Sequence, residues 1–244
     1  MFNYNGTLTG SATNLTLQNA ANYRAASFST DTANQVNLTI DTKALTWSGA
    51  TGDWDVNSSV NWDGNTEKFY QGDTVAFTDA GASKSITLGA SVVPASVSFD
   101  NSTGNDYSLS GAGSITGVTG LTKSGSGKLT LSNANSYTGT TLVNGGVLQA
   151  NNSSALGTAS NITFGGGILQ YTATSKSLLF GPRFKNSSSA IALDFNGQAV
   201  TLTGIDNSNT SGLNLSNSGA VSNSGGTVAP VSYTHLTLPT KRIV

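Results

Sequence analysis

The shortness of the apolar segments, and the glycine between them, constrain this chain most. Val97-Ser98-Phe99, Tyr107-Ser108-Leu109, Leu129-Thr130-Leu131, Ile162-Thr163-Phe164, Ile191-Ala192-Leu193 and Val200-Thr201-Leu202 each carry apolar side chains at i and i+2 with a small residue between. A period of two sends alternate side chains to opposite faces, the pattern of a half-buried strand. Gly-Gly, Asn-Gly and Ser-Gly groups separate these strands and supply the positive-φ positions of tight turns. No stretch carries a convincing helical period. Strands this short cannot bury a face alone, and hairpin ladders favour longer strands joined by two-residue turns. Coils stacked so that parallel strands pair along one axis solve the problem, with Leu, Ile, Val and Phe inside and Ser, Thr and Asn in ladders outside. The expected fold class is therefore all-β, a parallel β-helix (solenoid) whose open ends must be capped or continued.

The chain also reuses its parts. Leu15 to Tyr23 (LTLQNAANY) matches Leu129 to Tyr137 (LTLSNANSY), with Leu8-Thr9 and Leu121-Thr122 upstream in nearly equivalent places. Asn144 to Ala150 (NGGVLQA) is echoed by Gly165 to Tyr171 (GGGILQY), and Ala44 to Gly49 (ALTWSG) by Ala199 to Gly204 (AVTLTG). Fixed self-similarity of this kind is the mark of a repeat architecture.

Charge excludes several partners. Charged residues are 9% of 244 and the formal net charge is −1, so there is no electrostatic basis for binding nucleic acid or an anionic membrane. Without cysteine, neither disulfides nor thiolate metal sites can hold the fold together. No apolar run approaches the roughly 18 residues of a membrane span, and the first residues lack the basic start and apolar stretch of a signal peptide. Both ends look cut. Residues 231–244 (VSYTHLTLPTKRIV) break the preceding composition, hold the single histidine, His235, and resemble one reading frame of a sequencing-library adapter. They are expected to be a non-native tail, Met1 to be an internal methionine, and the natural protein to extend beyond both ends.

Candidate chemistry is sparse. There is no G-x-S-x-G elbow, and with His235 set aside no histidine remains to activate a serine. Gly125-Ser126-Gly127-Lys128 looks superficially like a phosphate loop, but Leu129 follows the lysine and Thr122 stands where the first glycine belongs, so it reads as a turn. Asp53, Asp55 and Asn57 have the first ligand spacings of a calcium loop, yet Ser58 and Gly64 occupy the turn-glycine and bidentate-glutamate positions; an Asx-turn role is the main reading. Asp100, Asp106 and Asp194, with Arg183 or Lys185, are the candidates for a carboxylate pair in a polysaccharide-cleaving groove. Trp47, Trp54 and Trp62 fall within sixteen residues. Exposed, they would stack on sugar rings as a glycan site; buried, they would close a local β unit between two solenoid parts, and this is the main reading. Tyr137 and Tyr171 read as packing or ladder residues.

Gly120 to Gln149, GLTKSGSGKLTLSNANSYTGTTLVNGGVLQ, resembles the autotransporter-associated β-strand repeat. The signature residues are Leu121, Lys123, Gly125, Gly127, Leu129, Leu131, Asn135, Tyr137, Gly139, Gly145, Gly146 and Leu148. Trp54 with Asn61-Trp62-Asp63, Gly72-Asp73 ahead of Val75 and Phe77, and Asn196-Gly197-Gln198 extend the likeness over most of residues 8–230. The resemblance implies a right-handed β-helical passenger, exported and displayed at the cell surface, often ahead of an outer-membrane β-barrel. It implies a scaffold or adhesin rather than an enzyme, with glycans or cell surfaces as partners and no cofactor; the alternative is a carbohydrate-binding or polysaccharide-cleaving β-helix. The expected organisation is a partial solenoid repeat at 1–46, a Trp-bearing β unit at 47–100, a solenoid at 101–230 and the tail at 231–244.

Overall fold

The structure, a computed structural model, describes residues 2–3, 10–157, 161–177, 180–202, 204–205, 209, 211–217 and 221–223. The first three strands, β1 (Phe2–Asn3), β2 (Ala26–Ser29) and β3 (Gln35–Ile40), form an antiparallel sheet in the order β1-β3-β2. From residue 44 the chain winds as a parallel solenoid. Its strands are β4 (Ala44–Thr46), β5 (Thr74–Thr78), β6 (Ser85–Thr87), β7 (Ser96–Asp100), β8 (Tyr107–Ser110), β9 (Leu121–Ser124), β10 (Lys128–Leu131), β11 (Thr141–Val143), β12 (Val147–Ala150), β13 (Ile162–Phe164), β14 (Ile168–Gln170), β15 (Ile191–Asp194), β16 (Val200–Leu202), β17 (Leu213–Ser216) and β18 (Val221–Asn223). One sheet runs β13-β11-β9-β7-β5-β4 and the other β17-β15-β14-β12-β10-β8-β6, every pair parallel; β16 and β18 form a further parallel pair.

The period-two pattern explains the core. In the first sheet, Leu45, Val75, Val97, Leu121, Thr141 and Ile162 lie in register across successive coils, and beside them Phe77, Phe99, Lys123, Val143 and Phe164. In the second sheet the inner column is Tyr107, Leu129, Leu148, Leu169, Leu193 and Leu215. Each strand alone would leave its two or three apolar side chains wet; stacking joins them into one cluster from Leu45 to Leu213. Of the sequence echoes, Asn144–Ala150 and Gly165–Tyr171 are neighbours in the stack, with Val147 opposite Ile168 and Leu148 opposite Leu169.

Of the partial solenoid repeat expected over residues 1–46, only residues 44–46 (β4) join the solenoid; residues 10–41 do not. Leu15-Thr16-Leu17 repeats the β10 sequence but forms no strand, and Leu15 is 43% exposed. β10 is a strand because β8 and β12 flank it, whereas residues 26–40 pair with each other: Phe28 faces Leu38 and Ala26 faces Ile40 across a turn in which Asn34 takes a φ of 61°. The boundary drawn at residue 100 corresponds to no break in pairing, since β5 pairs with β7 and β7 with β9. The suspected adapter tail, with His235, lies outside the described residues. No helix among the described residues is long and apolar enough to cross a membrane.

The core tyrosines carry a pH dependence. Burial pushes the Tyr107 phenol up to about 12, with the nearby Asp79 charge adding to it, and burial pushes Tyr137 up to about 12 against an opposing hydrogen bond to Thr141. The Tyr171 phenol is raised as well, and its buried hydroxyl has no hydrogen-bond partner among the described residues. A phenol whose folded pKa lies above its unfolded value favours the fold fully below the ordinary value of 10, and that contribution is lost as pH rises towards 12. Stability should therefore be flat as pH approaches 10 and fall above it, with tyrosinate absorbance rising together with the loss of β ellipticity. Titration of these phenols with ellipticity intact would contradict this.

Candidate binding surface

The three tryptophans are brought together, but inside. Trp47, Trp54 and Trp62 are 0%, 0% and 1% exposed. Trp62 meets Trp47 edge to face at 5.0 Å and Trp54 at 5.7 Å, and Trp54 packs on Phe69 at 5.6 Å. All three reach Phe77, which stacks flat on Phe99 at 4.2 Å in the next coil. The Trp47 indole donates to the Ser83 carbonyl at 2.8 Å. A Cβ at Gly81 would strike both the Trp47 ring and the Tyr107 hydroxyl, so the loop over residues 79–84 lies directly on the indole. Of the two arrangements open to this cluster the rings adopt the buried one and offer no exposed sugar-stacking platform: they plug the first coil of the core, packed on one another, Phe69 and Phe77.

Lys123, in the lysine-glycine turn of the repeat signature, is wholly buried in the inner column between Phe99 and Val143. Its ammonium donates to the carbonyls of Ser124, Gly125 (3.2 Å) and Gly145 (3.5 Å). Burial pulls its pKa below the ordinary lysine value, against the charges of Asp100 and Asp106, which raise it. The ammonium thus serves the stacked turns, and the neighbouring amides are also spoken for: Gly127 donates to the Asn101 carbonyl at 2.8 Å and Lys128 to Asp106 at 2.8 Å. Asn135 of the signature joins coils too, whereas the Tyr137 hydroxyl is paired within its own coil. Asn135 accepts the Ile115 amide at 2.9 Å and donates to the Ala155 carbonyl at 2.7 Å, and the Tyr137 and Thr141 hydroxyls lie 2.8 Å apart.

The carboxylates are dispersed. Asp55 accepts the Ser59 amide at 2.8 Å and hydroxyl at 2.6 Å, a local bond four residues on where an Asx turn would reach two, and Asn57, at φ 52°, donates to the Ala21 carbonyl at 2.9 Å. Asp106 caps Lys128, whereas Asp194 accepts from Gln170 (2.7 Å), the Asn196 amide (2.8 Å) and Asn217 (3.0 Å). β10, β12 and β14 lie between the strands that these two residues belong to or flank, which sets them about 19 Å apart at the ~4.8 Å strand spacing, far beyond the separation of a glycosidase pair. Asp100 is exposed at the end of β7 in the other sheet. Arg183 donates to the carbonyls of Leu156 (2.6 Å) and Gly157 (3.2 Å). Among the described residues, no group of three or more His, Cys, Asp and Glu side chains is placed to hold a metal ion.

What the solenoid presents outward is a regular polar surface. Ser85, Ser108, Thr130, Gln149 and Gln170 occupy one outward column of the second sheet, one per coil, and Asp194, buried at the end of β15, continues it. Thr130 donates to Gln149 at 3.1 Å, Gln149 to Gln170 at 2.5 Å and Gln170 to Asp194 at 2.7 Å. Sequence reasoning missed two features: the buried inter-coil asparagines Asn101 and Asn133, and the ion-pair cluster of Arg24, Lys43, Asp63, Glu67 and Asp73. The asparagines had a signal in their positions just after strands β7 and β10; the ion pairs, up to 49 residues apart in sequence, had none.

The segment that builds β9 to β12 has counterparts among known proteins. Residues 121–150 match the family model of the passenger-associated-transport-repeat. The chain is also 32% identical over 153 residues to the adhesin BmaC autotransporter of Brucella suis biovar 1 (strain 1330), a stretch that covers 54% of this chain and 4% of that protein. The chain thus spans a small fraction of the length of the curated relative it matches. No solved structure matches it. The matched segment supplies two successive coils of the solenoid, β9 with β10 and β11 with β12, and its four strands pair in register with β7 and β8 on one side and β13 and β14 on the other.

Proposed function

We propose that this chain is a length of a surface-displayed bacterial passenger, a solenoid scaffold whose polar flanks make many weak contacts with cells or glycans. The observation that carries the reading is the match of residues 121–150 to a passenger repeat that continues into neighbouring coils without a break. The adhesin relative supports an extracellular or cell-surface location. A ladder such as Thr130, Gln149, Gln170 and Asp194 satisfies its own hydrogen bonds, so each additional contact is weak and affinity must come from many coils acting together. Among the described residues, the carboxylates are dispersed and give a hydrolytic role no support.

The purified chain, displayed at high density on beads, should be retained on host-cell monolayers or glycan-coated surfaces, whereas the same chain free in solution should bind weakly. Retention should fall stepwise, not all at once, when Gln149, Gln170 and Thr130 are changed to alanine in turn. Retention no better than that of an unrelated β-solenoid would overturn the adhesive reading, as would release of sugar from any polysaccharide offered.

A further inference from the structure

Among the described residues, the antiparallel unit of residues 10–41 and the solenoid share no apolar core. The continuous apolar cluster begins at Leu45, and Val36, the buried aliphatic residue of β3, is outside it. The joint is polar. Arg24 donates to both oxygens of Asp73 (3.3 and 2.7 Å), to Glu67 (3.1 Å) and to the Lys68 carbonyl (3.2 Å), and its guanidinium lies 4.9 Å over the Tyr70 ring. The Gln71 amide donates to the Asn22 carbonyl at 2.8 Å, and Asn57 to that of Ala21 at 2.9 Å.

The solenoid side of this joint is built without Arg24. Asp73 is wholly buried and also accepts the amides of Lys43 (2.7 Å) and Tyr70 (2.9 Å), which fix its carboxylate in place. Lys43 is paired with Glu67 at 2.8 Å and Asp63 at 3.3 Å. The edge of β4, where the first sheet ends, is covered from within the coil: Trp62 bridges Trp47 antiparallel, and the Asp63 amide donates to the Thr46 carbonyl at 2.8 Å. Residues 44–73 therefore cap their own stack, as an exposed strand edge requires. What remains on the end face is a preformed carboxylate with an aromatic ring beside it, a complementary seat for a planar, bidentate cation.

We propose that this end face is a docking site for an arginine-bearing segment, occupied here by residues 19–24 of the same chain, so that the unit of residues 10–41 is a detachable module on a self-capped solenoid. The joint rests on one arginine, partly exposed and paired to the buried Asp73 and the partly exposed Glu67, and on a few hydrogen bonds, so far fewer contacts hold it than hold the stacked coils together.

Amide hydrogen exchange on the full chain tests this with Arg24→Met, which removes the charge, and Arg24→Lys, which keeps the charge but loses the fork. Arg24→Met should speed exchange of the Gln71 amide and of peptides covering residues 19–40 on the order of tenfold or more, the scale of a lost charge-assisted hydrogen bond. Exchange of β7 to β12 should stay unchanged, and Arg24→Lys should fall between. Ionic strength of about 1 M, where the Debye length shrinks to roughly 3 Å, should mimic part of the effect in the unaltered chain. Unchanged exchange at Gln71 in Arg24→Met would overturn the proposal. So would equal loss of protection across β7 to β12, because the two units would then be one cooperative body.

Discussion

Replacing Gly146 with alanine should cost about 3 kcal/mol or more in denaturant unfolding, while replacing Gly89 with alanine should cost nothing measurable. Gly146 sits at φ 59° in the turn between β11 and β12, and a Cβ there would overlap the carbonyl of Gly127 and come within 2.6 Å of the carbonyl of Gly125 in the coil below. Two penalties add: a left-handed backbone that alanine adopts reluctantly, and backbone overlap that no rotamer can relieve. The turn cannot simply move aside, because Val147 donates to the Gly127 carbonyl at 3.1 Å and β12 is held in register by β10 and β14. Gly89 has neither constraint, with open space where its Cβ would be. Equal midpoints for the two variants would mean that the coils are not stacked at the closeness the glycines allow.

The same contrast explains what could be read from sequence. Alternation in Val97-Ser98-Phe99 or Leu129-Thr130-Leu131 specifies which side chains turn inward, and the narrowness of the core leaves a parallel stack as the arrangement that buries them; the observed registers follow that pattern. The local pattern did not specify whether a neighbouring coil exists. Leu15-Thr16-Leu17 and Leu129-Thr130-Leu131 are the same tripeptide, yet only the second is flanked by partners, so only the second is a strand. Long-range polar contacts were illegible for a related reason. Nothing near Arg24 in the sequence announces Asp73, and a buried lysine such as Lys123 looks like any exposed one until the carbonyls of two coils close round it. The tryptophans were legible as a cluster, but exposure and burial leave the same spacing in sequence; only the packing of Phe69, Phe77 and the loop carrying Gly81 decides between them.

Trp62→Ala is expected to destabilise the chain by roughly 3–5 kcal/mol, the cost of emptying a large aromatic site in a core that cannot collapse around it. Trp62 is the ring that both other indoles touch, at 5.0 and 5.7 Å, and it also meets Phe69 and Phe77. Its backbone bridges Trp47 and Glu67, so the loss would reach the covered edge of β4 as well as the apolar plug. The damage should be graded along the stack. Exchange protection should drop most in β4 and β5, next to the plug, and least in β14 and β15, several coils away, because each coil is supported chiefly by its immediate neighbours. Tryptophan emission in the unaltered chain gives the complementary result: with all three indoles buried, soluble glycans and aqueous quenchers should leave it unchanged until the protein unfolds. A glycan-dependent shift in emission from the folded chain, or a Trp62→Ala variant as stable as its parent, would place the indoles at the surface and remove the plug from the solenoid's first coil.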